Sequence, residues 1–180
     1  PGGDKPAATK TLAELTKTSV KYPGLFTVYQ DSVTGALQMV VRKDQIGKEY
    51  IYFSVTDEGV LPAGSFRGAF GPNNVFAVRK NFNKIEFITQ NTSFYFNPAS
   101  PLSRAADANI SPGVLASIEI AATDTATGEY LIKADDLFLT ETLRQVKPPP
   151  RPGAPPGAGF TLGSLRKSKT RVEPIKSYPL

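Results

Sequence analysis

Residues 24–41, GLFTVYQDSVTGALQMVV, place two apolar runs on either side of a short polar turn. Few other arrangements in the chain restrict the fold as much. The loop DSVTG supplies Asp31 and Gly35, residue types that tight hairpin turns require. The pattern predicts one strand over Leu25–Gln30 and a second over Leu37–Arg42, with Leu37, Met39 and Val41 on one face. The run YIYFSV repeats the alternation, with Ile51, Phe53 and Val55 on one side and Tyr50, Tyr52 and Ser54 on the other. KDQIGKEY between them reads as a turn or a single helical turn.

Further along, VFAVRK, KIEFITQ and SFYFN predict three more strands, joined by tight turns at NFN and NT. VLASIEIAAT and EYLIKA predict a hairpin around DTATG. Helical spacing of Leu12, Leu15 and Ser19, with Thr11 as cap and Pro23-Gly24 as stop, predicts a short helix near the start. A second is expected from about Ser103, and a third over ADDLFLTETLRQV, with Asp135 and Asp136 near its positive N-terminus. The expected fold class is therefore α+β: mainly antiparallel sheet in a meander, with a few short helices.

Composition then divides the chain. Residues 1–9 read as a loose N-terminus, and residues 10–146 as the β-rich domain. Residues 147–160 hold six Pro and three Gly and read as an extended linker. Residues 161–180 form a basic extension. From Arg144 onward there are eight Lys/Arg and one Glu, whereas the first 143 residues carry thirteen Lys/Arg and fifteen Asp/Glu. The folded part is near neutral, so the overall pI of 9.4 describes the tail.

The chain contains no His and no Cys. A Ser-His-Asp triad, a His-Glu-x-x-His zinc site, a thiolate zinc site and a thiol nucleophile are excluded. The remaining candidates each have a simpler account. The Gly-rich stretch 59–71 lacks the Lys-Ser/Thr of a phosphate loop and reads as a strand connector. Asp135 and Asp136, with Glu129 and Asp124, lack the alternation of a calcium loop and read as helix-start carboxylates. RKSKTR in the tail could meet phosphates, but no interleaved aromatics offer base stacking; it reads as a solvated basic extension or a segment that docks on an acidic surface of another domain, and nucleic acid is the weakest partner reading. PPPRPGAPP has Pro-x-x-Pro spacing and reads as a spacer. Asn91-Thr92-Ser93 is a glycosylation sequon of a kind that arises by chance. No catalytic, cofactor-binding or metal-binding residue is assigned. Tyr50, Tyr52, Phe94, Tyr95 and Phe96 cannot all face one core, so part of the sheet surface is expected to meet a partner. An open sheet edge would suit strand addition.

Several of these segments resemble the N-terminal region of a family of bacterial exported zinc-dependent metalloproteases. The matching features are Gly24-Leu25-Phe26, the hairpin Asp31–Gly35, the turn Gln45-Ile46-Gly47-Lys48-Glu49 and the aromatic strand Tyr50–Val55. VFAVRKNFNKIEFITQNTSF and SPGVLASIEIAATDTATGEYLIKADDLFL are similar to later parts of the same region, so the likeness runs from about residue 10 to 180. In that family a domain of unknown function precedes a metzincin-like catalytic domain. The resemblance implies a noncatalytic accessory or pro-domain, exported without its signal peptide, whose partner is the downstream catalytic half in cis. Any zinc would belong to that half, and no cofactor is expected here. SLRKSKTRVEPIKSYPL would continue into further strands beyond Leu180. The alternative expectation is a self-associating structural module, an extracellular assembly or filament subunit that proteolysis would release. No run of about 18 apolar residues exists to span a membrane.

Overall fold

The computed structural model describes residues 10–63, 65–97, 99–101, 103, 111–146, 153 and 163–178. The elements run in order α1 (Leu12–Leu15), β1 (Ser19–Tyr22), β2 (Thr27–Asp31), β3 (Leu37–Arg42), β4 (Glu49–Val55), β5 (Phe70–Asn81), β6 (Lys84–Thr89), β7 (Gly113–Asp124), β8 (Glu129–Lys133) and α2 (Asp135–Phe138). Single 3-10 turns occupy Lys43–Gln45, Leu61–Ala63 and Lys167–Lys169. All strand pairs are antiparallel, in the spatial order β1-β2-β3-β8-β7-β6-β5-β4.

The sheet does not lie flat, and chain length shows why. β3 and β4 stand five neighbours apart, about 24 Å at ~4.8 Å per step. Only residues 43–48 join them, and three of these form a 3-10 turn that rises ~2 Å per residue. The connector reaches at most about 20 Å, so the sheet must fold over. The fold occurs at β7, whose first half pairs with β6 (Glu119 opposite Lys84) and whose second half pairs with β8 (Ile120 opposite Ile132). A register shift between Ile120 and Ala122 marks the corner. The connector itself touches both halves: Lys43 N–H donates to Gly128 O and Gly47 N–H to Val78 O, each at 2.8 Å.

The main core fills the inside of the fold. Leu37, Met39 and Val41 of β3 meet Phe76 and Val78 of β5, Ile85 and Phe87 of β6, and Ile132 of β8. A smaller cluster on the outer face joins Val40, Ala122 and Leu131 to Leu12 and Leu15 of α1. Buried Gln45 pins the connector: its Oε1 accepts from Arg42 N–H at 2.9 Å and its Nε2 donates to Leu25 O. In the β2–β3 turn Gly35 takes φ +72°, a value that only glycine adopts at little cost. Asp31 Oδ1 accepts from the N–H groups of Val33 and Thr34.

The β-rich antiparallel architecture agrees with the sequence, and several details differ. α1 has its Thr11 cap, with Glu14 closing a capping box, but spans one turn. Ser19 opens β1 instead of extending the helix, because it pairs with Asp31 of β2. β2 begins at Thr27. β5 begins at Phe70, inside the stretch expected to be loop, since its first residues pair with β4. SFYFN is not a strand: Phe94 and Tyr95 stand exposed, Asn91 Oδ1 ties down Ser93 N–H, and β7 takes the free side of β6. The order is not a simple meander, because β8 inserts between β3 and β7. α2 begins where expected but lasts one turn. Residues 163–178 contain no strand. The expected helix near Ser103 lies almost wholly outside the described residues, as do residues 1–9 and, apart from Gly153, the linker at 147–160.

Candidate functional site

Among the described residues β4 and β1 are the two sheet edges, and they are built differently. β1, at the far edge, has four residues and carries Lys21 in its centre, which lies over the Tyr29 ring. Short length and a central charge are standard protection against unwanted pairing. β4 has seven residues, and from Tyr50 to Val55 it carries no charge and no proline. Its one charge is Glu49, at its first position, and Asp57 and Glu58 follow its end.

The face that β4 turns inward follows from its tyrosines. Tyr50 stacks against Phe26 (ring centroids 4.9 Å) and Phe76 (5.7 Å), and burial pushes its hydroxyl pKa up. Tyr52 keeps its hydroxyl satisfied inside, accepting from the Asn74 side chain at 3.0 Å and donating to Leu143 O at 3.3 Å. A tyrosine that can bury its ring and still find a polar partner occupies the interior. The purely apolar residues of the alternation are then left outside: Ile51 is 74 % exposed, Phe53 69 % and Val55 46 %. On β5, Phe70 stands opposite Val55 and is 82 % exposed. Arg144 braces the end of this strand by donating to the Thr56 hydroxyl at 2.6 Å.

A second surface is formed by residues 163–178, which lie back on the domain as an arm. Leu165 N–H donates to Glu141 at 2.8 Å. Lys167 Nζ sits 2.8 Å from Asp136 and 3.8 Å from Asp135 at the start of α2. The Asp136 hydrogen bond raises the lysine pKa above its ordinary value. Val172 and Ile175 pack against the main core, and Gln30 Nε2 reaches Val172 O at 3.5 Å. Ser177 lies so close to Gly24 that a Cβ there would stand 3.0 Å from its own Cβ. Between arm and domain a cleft of about 880 Å³ remains, with Tyr22, Gln30 and Leu139 on its domain side.

The residues singled out in the sequence are scattered. Asp135 Oδ1 accepts from Leu37 N–H at 2.8 Å, and Asp136 holds Lys167. Asp124 caps the β7–β8 turn through Ala126 and Thr127, which lowers its pKa. Glu129 stands opposite Arg42 in the ladder. Among the described residues no three His, Cys, Asp or Glu gather to hold a metal ion. With neither His nor Cys in the chain, these residues do not fit a zinc site. In the 59–71 stretch Gly59 packs on Ser65, where a Cβ would come within 2.5 Å of a carbonyl oxygen, so that glycine closes a loop. Tyr50 and Tyr52 face the core, whereas Phe94 and Tyr95 do not. PPPRPGAPP lies outside the described residues save Gly153. The sequence placed Gln45 in a turn without a buried role, and offered an acidic surface of another domain for the basic tail, whereas Lys167 meets Asp136 of the same chain. No helix among the described residues is long and apolar enough to cross a membrane.

Compared with protein-family models, curated proteins and solved structures, the chain matches none.

Proposed function

We propose that this chain is a noncatalytic interaction domain that accepts an added strand along β4. The observation that carries the reading is the unguarded edge: seven residues whose outer side, among the described residues, pairs with no strand, bearing an apolar outer stripe, on a sheet whose other edge is protected. An added strand would gain main-chain hydrogen bonds from the edge and cover part of Ile51, Phe53 and Val55. The resemblance noted above supplies the setting, an accessory or pro-domain of an exported zinc metalloprotease. In that setting the catalytic half supplies the strand and keeps the zinc, and this chain holds, shields or targets it.

A second reading, self-association through the same edge, is favoured by the self-complementarity of β4. An antiparallel pair centred on Tyr52 would set Ile51 against Phe53 and Glu49 against Val55, so no like charges meet. Light scattering across a concentration series, with and without a separately produced catalytic region of that protease family, tests both readings. Capture of the catalytic region by a monomer supports the first reading, and growth in mass of the chain alone that Phe53→Lys suppresses supports the second. Both fail if replacing Phe53 by lysine leaves every association unchanged.

A further inference from the structure

The geometry points to the arm as an exchangeable element: the surface that seats residues 163–178 of its own chain also takes that segment from a second copy. This stands independently of the β4 edge. The arm is held at separated points, Leu165 on Glu141, Lys167 on Asp135 and Asp136, Val172 and Ile175 on the core, Ser177 on Gly24. Among the described residues no strand pairing joins the arm to the sheet. Each contact matches one residue to another and is indifferent to which chain supplies the arm.

The tether permits the exchange. Residues 147–162, sixteen in all, separate Val146 from Gly163. At ~3.3 Å per residue they can reach about 55 Å. A domain of this size has a radius of gyration of about 15 Å, so the reach exceeds its breadth. The same contacts form within a chain and between chains, so the balance depends on effective concentration, about millimolar for a short tether. Reciprocal exchange closes a pair, and non-reciprocal exchange builds an open row of copies. The docked lysine ties exchange to charge: its carboxylate partners lie on the receiving copy.

The absence of cysteine makes a clean test possible. Gly24→Cys and Ser177→Cys place two Cβ atoms about 3.0 Å apart, slightly tighter than the roughly 3.5–4.5 Å a disulfide takes, a gap that a small shift of Ser177 closes. The double variant, oxidised at low concentration, should close within its own chain, which verifies that the arm is docked. An equal mixture of the two single variants should give a covalent dimer joined 24 to 177, rising with total protein from tens of micromolar toward millimolar. Adding Lys167→Glu to the Ser177→Cys chain should cut that product several-fold. The inference is overturned if the mixture gives only collision statistics among the three possible pairings, if no dimer forms as concentration rises, or if the double variant fails to close. None of these outcomes involves β4, so they leave the edge-strand reading untouched.

Discussion

Phe53 separates the stability of the domain from its interactions. Its ring is 69 % exposed, on a strand whose inward tyrosines make the fold-defining contacts. A buried aromatic hides roughly 200 Å², so about 140 Å² of Phe53 remains for a partner to cover. At ~25 cal/mol per Å², full coverage contributes about 3.5 kcal/mol. A strand added at the edge covers about half of that area and contributes about 1.7 kcal/mol. Phe53→Lys should therefore weaken association by between about 20-fold and 300-fold. In the isolated domain the same change should cost less than ~1 kcal/mol, because it alters an exposed strand position. Urea unfolding measures the second quantity, and light scattering or titration against the partner measures the first. A large loss of stability would mean that the face assignment of β4 is wrong. Unchanged stability with unchanged association would remove β4 as the working surface.

Three further outcomes test other parts of the structure. Gln45→Met keeps the side-chain length but strands Arg42 N–H and Leu25 O, so urea unfolding should show a loss of about 2–4 kcal/mol, and a loss under ~0.5 kcal/mol would show that the polar clamp is dispensable. Asp31 has its pKa lowered to about 2, mainly by the Thr18 hydroxyl and then by Thr34 N–H, so its contribution is complete above the ordinary value of 3.8 and is lost as pH falls toward 2; carboxyl NMR titration should place its midpoint there, and Asp31→Asn should flatten the acid limb of stability. Asp136→Asn should speed trypsin cleavage within residues 166–171 several-fold with little change in the urea midpoint, since both partners of the ion pair are exposed and it is worth at most about 1 kcal/mol. Because the Lys167 pKa is raised, its contribution holds below 10.5 and fades only as pH climbs through the elevated value.

Local chemistry made much of the fold legible. β3 follows from its apolar run between a turn and a charged connector, and the β7–β8 hairpin from its flanking β-formers. The Thr11 cap was readable from residue type and spacing. Long-range choices were not readable. SFYFN has strand composition, yet β7 takes the place beside β6, and nothing local records that competition. In YIYFSV alternation is visible, but the inward face depends on Asn74 and Leu143, distant residues that satisfy the Tyr52 hydroxyl. The exposed stripe on β4 is therefore a tertiary outcome of a local pattern. The arm is similar: Val172 and Ile175 are too sparse to signal burial, and only the folded domain supplies their seat.

The insertion of β8 beside β3 also sets a schedule for synthesis. Gln38 pairs with Lys133, ninety-five residues later in the chain. At roughly 5–20 residues per second, the finished β3 waits about 5–20 s on the ribosome for its neighbour. Throughout that interval Leu37, Met39 and Val41 lack the Ile132 side of their core. Such distant pairings also place the domain among slow folders. A nascent chain halted before residue 129 should thus be a client of holding chaperones, and one released after α2 has emerged should not.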